Sequence, residues 1–88
     1  MVIDFFAPWC GKCRMLAPYV DELLEAHRDI TFAKFDTTHE ALEALSGELG
    51  VKALPAFKFF RGGKEAVPQV VGYKKKPLGE AVAALAKA

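Results

Sequence analysis

Two strand-length apolar segments, Val2–Ala7 and Ile30–Phe35, are separated by a long stretch with helical periodicity, and this arrangement restricts the fold more than any other feature. Strands joined through a helix cannot form a hairpin. They pair in parallel through a right-handed crossover, which requires a sheet with a helix packed on its face. Val2–Ala7 carries two Phe and two β-branched residues and ends at Pro8, as suits a buried strand. Met15, Leu16, Tyr19, Val20, Leu23 and Leu24 then recur at i, i+1, i+4, i+5, i+8 and i+9, the apolar stripe of a helix starting near Cys10. Pro18 lies inside that helix, where its ring would clash with the Arg14 carbonyl, so a kink is expected there.

Alternation in Ile30–Phe35 puts Ile30, Phe32 and Lys34 on one face and Thr31, Ala33 and Phe35 on the other. Thr37 followed three residues later by Glu40 is a capping-box signature, and Leu42, Leu45 and Leu49 supply the stripe of a second helix ending before Gly50. Ala56–Arg61, Gly62-Gly63 and Ala66–Val71 read as a tight hairpin whose last strand, holding Pro68, is an edge. Pro77 opens a final helix with Leu78, Val82 and Leu85 on one face. The order is βαβαββα: an α/β chain with a mixed four-stranded sheet flanked by helices, organised as one domain over residues 1–88.

Twelve Lys and Arg against eleven Asp and Glu leave a formal charge of +1, so no overall field favours nucleic acid or an anionic membrane. The longest apolar run falls well short of the ~18 residues that a membrane span requires. No basic region followed by a secretory apolar run opens the chain, so a cytoplasmic protein, or one processed into an organelle stroma or matrix, is expected. Two cysteines, Cys10 and Cys13, are too few and too close to staple distant segments, which makes a chemical role the expectation.

In open sheets of this kind, reactive groups gather beyond the carboxyl ends of parallel strands, and Trp9-Cys10-Gly11-Lys12-Cys13 follows the first strand directly. Unpaired N–H groups and the positive dipole end of a helix stabilise a thiolate on the first cysteine of such a pair. Cys10 would then be the nucleophile, with Cys13 close enough to resolve a mixed disulfide by closing an internal one. A zinc half-site would need two more ligands, and His27 and His39 lie on different elements without finger spacing. No motif points to a cofactor.

Asp4-Phe5-Phe6-Ala7-Pro8-Trp9-Cys10-Gly11-Lys12-Cys13 with Ala17-Pro18 resembles the active-site segment of thioredoxins. Ala33-Lys34-Phe35-Asp36, Leu54-Pro55-Ala56, Gly62-Gly63 and Val71-Gly72 follow in the order of thioredoxin landmarks, so the likeness covers essentially the whole chain. It implies a thioredoxin-like fold and a protein-disulfide reductase. Its implied roles are Cys10 as attacking thiol, Cys13 as buried resolving thiol, Pro55 as a cis-proline facing the disulfide, and Asp4 as a buried proton acceptor. Lys34 matches the lysine that partners this aspartate, and a proton relay and a structural ion pair both fit the two residues. Leu54 would pair its backbone with an extended substrate segment. Trp9 serves either packing or substrate contact, and Gly72 is either a turn residue or part of the substrate surface. Gly11 and Lys12 complete the implied contact set. Implied partners are disulfide-containing proteins and a thioredoxin-reductase-type or other thiol donor.

Three departures from the thioredoxin pattern stand out. Lys12 replaces the usual proline, and a cation there should stabilise the Cys10 thiolate and move the couple above thioredoxin's value of about −270 mV, toward disulfide isomerases and oxidases. The chain starts inside the first apolar strand, without the strand and helix, about 17 residues, that thioredoxins carry before it. That would leave Ile30–Phe35 as an uncovered edge, so either a homodimer or reduced stability is expected. Lys74-Lys75-Lys76 reads as a solvated loop or as a patch steering acidic targets. Outside the enzyme class, a non-catalytic peptide-binding module with a groove near Pro55 is the competing expectation.

Overall fold

The computed structural model describes residues 1–87, apart from the side chains of residues 40–42. Its elements are β1 (Val2–Phe6), α1 (Gly11–Ala26), β2 (Phe32–Asp36), α2 (Glu40–Glu48), β3 (Ala56–Arg61), β4 (Lys64–Val71) and α3 (Lys75–Lys87). The expected order βαβαββα is therefore observed. One mixed sheet runs β2-β1-β3-β4, with β1 parallel to β2, antiparallel to β3, and β3 hairpinned to β4. Both central positions go to the most apolar strands, and β4 with its Pro68 lies at an edge, where a missing N–H is tolerated.

Alternation along β1 divides its residues between two layers. Val2 pairs with Phe59 and Asp4 with Phe57, so these four share the face covered by α1 and α3. The core there joins Val2, Phe57 and Phe59 to Leu16, Val20 and Leu23 of α1 and Leu78, Val82 and Leu85 of α3. Each fully buried side chain of this size contributes roughly 1.5–3 kcal/mol. The opposite face carries Phe5, whose ring packs tilted against that of Phe35 of β2 with centroids 5.2 Å apart. Gly62 and Gly63 both take positive φ, as a two-residue hairpin turn matching the strand twist requires.

Several local expectations are corrected. Thr37 does not cap α2: its hydroxyl donates to the Phe6 carbonyl at 3.1 Å, and His39 occupies the N-cap without a side-chain bond. The Glu40 half of the expected capping box, and Leu42, lie outside the described side chains. Leu45 is exposed, so the α2 stripe is only partly covered. Helix α1 continues on both sides of Pro18, which is compatible with the kink expected there. The second strand begins at Phe32 because the Ile30 N–H is used by a turn back to the His27 carbonyl. Helix α3 starts two residues before Pro77, whose missing N–H falls among the first-turn donors that have no helical partner.

Candidate dithiol site

Strand β1 delivers the chain to the carboxyl edge of the sheet, and a turn closed by Cys10 N–H on the Ala7 carbonyl at 3.0 Å starts α1. Cys10 is the N-cap of that helix, with extended backbone, and its Sγ accepts the Cys13 N–H at 3.2 Å. A sulfur thus stands where Ser or Asp usually caps a helix. The first turn of α1 holds no acidic residue, leaving the positive end of the helix uncompensated beside Cys10. Both thiols are free.

Cys10 is 7% exposed, whereas Cys13 is only half-buried. This reverses the expected burial of the resolving thiol. The two cysteines line different clefts. One of about 580 Å³ opens at Trp9, Cys10, Thr38, Ser46, Lys52 and Leu54. The other, of about 390 Å³, is lined by Asp4, Cys13, Arg14, Ala17 and Lys34 among others. Trp9 is 71% exposed at the rim of the first cleft.

Asp4 sits opposite Lys34 in the β1–β2 register. Burial raises its carboxyl from the usual 3.8 to about 6, with the Lys34 charge pulling the other way. Lys34 is exposed, and among the described residues no ion pair within 4 Å joins it to Asp4, so the expected structural pair is not made. Burial, a hydrogen bond to Cys10 and the Cys10 and Asp4 charges push the Cys13 thiol up to about 12.

The Leu54–Pro55 bond is cis, and the Gly72 N–H donates to the Pro55 carbonyl at 2.8 Å, tying the proline loop to the end of β4. Gly72 has φ +93°, a conformation that disfavours any side chain. Gly11 and Lys12 are exposed in the first turn of α1. Cys10, Trp9 and Leu54 therefore converge on one cleft, and Asp4, Cys13 and Lys34 on the other. Sequence reasoning missed Thr38, Ser46 and Lys52 around Cys10, and Arg14 and Ala17 beside Cys13. A signal existed for two of these groups. Thr38 follows a parallel strand's carboxyl end, and Ala17 stands four residues after Cys13 on the same helix face.

A helix-capping dithiol beyond a parallel strand, with Cys10 in a cleft that also holds Leu54 of the cis Leu54–Pro55 bond, has the arrangement of a thiol-disulfide oxidoreductase site on an α/β sheet. The comparisons with known proteins agree. The family model described as Thioredoxin matches residues 1–84. Thioredoxin-2 of Saccharomyces cerevisiae is 39% identical over 83 residues, covering 94% of this chain and 77% of that protein. Among solved structures, thioredoxin F from spinach chloroplast (short form) has a TM-score of 0.89 at 37% identity, covering 99% of this chain and 75% of that one. Mitochondrial thioredoxin 3 from S. cerevisiae, oxidised form, has a TM-score of 0.84 at 30% identity, covering 93% and 74%. The chain belongs to the thioredoxin family and is a thiol-disulfide oxidoreductase of the protein-disulfide reductase type, acting on disulfide substrates with a reductase donor. Among the described residues no helix is long and apolar enough to cross a membrane.

Proposed function

We propose that Cys10 attacks a substrate disulfide and Cys13 resolves the resulting mixed disulfide, with Asp4 accepting the Cys13 proton and Lys34 tuning Asp4 across the β1–β2 pair. Trp9, Gly11, Lys12, Leu54, Pro55 and Gly72 form the substrate surface. The observation that carries this reading is Cys10 Sγ at the start of α1, receiving the Cys13 N–H at 3.2 Å. Attack by Cys10 expels one substrate sulfur as a thiol, and closure of Cys10–Cys13 breaks the mixed disulfide and expels the second, so the substrate disulfide gains the two electrons that the cysteine pair loses. The reduced form is regenerated by a thioredoxin-reductase-type or other thiol donor. Relatives named as mitochondrial and chloroplast proteins support action in an organelle matrix or stroma, with cytoplasm the other compartment proposed.

The position of Lys12 bounds its influence. Its side chain is exposed, and exposed charge pairs are worth about 0.2–1 kcal/mol, which for a two-electron couple is at most about 20 mV. The couple is therefore expected near about −250 mV, on the reducing side of isomerases and oxidases. A redox titration in defined thiol buffers, followed by Trp9 fluorescence and thiol alkylation, measures it. A midpoint at or above about −200 mV would make the oxidised form the reactive one and turn the assignment to disulfide formation or isomerisation.

The partner set also includes a second copy of this chain. Strand β2 forms a sheet edge, and antiparallel self-pairing centred on Phe35 sets Lys34 of each copy opposite Asp36 of the other. Beside it, a groove of about 820 Å³ exposes Ile3, Ile30, Leu45 and Phe60 to the same neighbour. Light scattering on size-exclusion fractions should give a dimer at high protein concentration that dissociates on dilution. A monomer throughout the concentration range rules out the pairing.

A further inference from the structure

The mechanism uses Cys10 through the cleft at Trp9 and Leu54, yet Cys13 has an opening of its own. Its cleft is separate: among the described residues, none lines both. Phe6, Ala7, Pro8 and Ala17 form apolar walls, Asp4 is the one acid, and Arg14 and Lys34 place two cations at the exposed margin. The Arg14 guanidinium is held there by Nη1 donating to the Pro8 carbonyl at 3.2 Å. At about 390 Å³ the space admits a small molecule and excludes a folded protein.

Resting on the dithiol reading above, we propose that this cleft is a second entrance to the oxidised site, through which a small carboxylate-bearing thiol attacks Cys13 rather than Cys10. Displacement at sulfur runs in line with the bond being broken, so attack on Cys13 has to come from the side away from Cys10, and the approach assigned to it is the cleft that Cys13 lines and Cys10 does not. The thiolate of the small molecule bonds to Cys13 Sγ, the Cys10–Cys13 bond breaks, and its electron pair leaves on Cys10 Sγ. A second small thiolate then attacks the small-molecule sulfur of the mixed disulfide, releasing a small disulfide and a Cys13 thiolate that takes up a proton. Two small thiols lose two electrons and the protein disulfide gains them.

Leaving-group chemistry favours the same sulfur. Attack on Cys10 would expel Cys13, whose thiol burial pushes up to about 12, a poor leaving group. Attack on Cys13 expels Cys10, whose sulfur is already met by the Cys13 N–H at the positive end of α1. Large protein disulfides and small thiols would thus use different sulfurs and different faces of one dithiol.

The test uses the oxidised 88-residue chain reduced by glutathione, with glutathione disulfide removed by a coupled reductase. Rapid acid quench, alkylation and peptide mass mapping should place the glutathione adduct on Cys13. Ala17→Leu fills the cleft and should slow glutathione about fivefold or more. Arg14→Glu, which leaves the core untouched, should shift the rate ratio of anionic 2-mercaptoethanesulfonate to cationic cysteamine by about tenfold toward cysteamine. Should Ala17→Leu fail to fold, the Arg14→Glu ratio and the adduct position decide. An adduct on Cys10, or a charge ratio that Arg14→Glu leaves unmoved, overturns the second entrance while the reductase reading stands. A chain that forms no Cys10–Cys13 disulfide on oxidation overturns both.

Discussion

Replacing Cys13 with serine is expected to turn the protein from a turnover catalyst into a single-use trap. Cys10 keeps its place at the N-terminus of α1, so the first attack proceeds and one equivalent of substrate is captured as a mixed disulfide. Release then depends on thiols in solution. Well-oriented intramolecular groups reach effective molarities of about 10⁵–10⁸ M, and even about 10 M for Cys13 exceeds a millimolar external thiol by roughly 10⁴-fold. Multiple turnover in insulin reduction should accordingly fall by about 10³–10⁴-fold, while a stoichiometric adduct accumulates that mass spectrometry maps to Cys10. Cys10→Ser should abolish both adduct and turnover. A non-catalytic peptide-binding module gives the opposite pattern, with unchanged peptide affinity and no adduct in either variant. That outcome would remove the enzymatic roles assigned to this pair.

Legibility in the sequence followed the range of the forces involved. Apolar runs place β1 and β3 and helical periodicity places α1 and α3, because each packs into the core: Val2, Leu16, Phe59 and Val82 are all buried there. The dithiol was readable because its chemistry is local, a cysteine cap and a second cysteine one turn on. Thr37 shows where this stops. Its capping signature is genuine, but a tertiary acceptor, the Phe6 carbonyl on the neighbouring strand, takes the hydroxyl first. Lys58 lies in a run of phenylalanines, and the pattern names them as core while leaving it unexplained. It is 4% exposed and held by Glu65 at 3.0 Å, a partner that only the β3–β4 hairpin supplies. The relative burial of Cys10 and Cys13 depends on how β2, α1 and the loop before β3 close around them. No spacing rule on one helix reports that.

Asp4→Asn should make the protein more stable at neutral pH and a poorer catalyst. Asp4 is fixed among apolar residues of the central strand, and its carboxyl is raised from the usual 3.8 to about 6 by that burial. A raised carboxyl means that the folded state holds a proton that the unfolded state releases. Folding is then most favoured by this group below about pH 4, weakens as pH rises toward 6, and stays at its reduced level above that. A difference of this size corresponds to roughly 3 kcal/mol at pH 7, and the neutral isostere removes it. Urea unfolding at pH 7.5 should show Asp4→Asn more stable by about 2–3 kcal/mol, or about 10 °C or more in melting temperature, with the two proteins converging near pH 4. Lys34→Gln should act in the reverse sense, because losing the one cation that favours the Asp4 carboxylate deepens the penalty. Catalysis carries the opposing sign. A carboxylate that ionises near pH 6 can act as general base, accepting the Cys13 proton as that sulfur bonds to Cys10, so single-turnover resolution in the parent should rise through pH 6, and Asp4→Asn should lose that inflection. Equal stability of parent and Asp4→Asn at pH 7.5 would mean that the carboxylate is solvated through its cleft, and an unchanged pH profile would remove it from the proton path. Both results together would leave Asp4 with neither role. The expected pair, stability gained and resolution slowed, would identify it as a group kept at the expense of the fold for the reaction at Cys13.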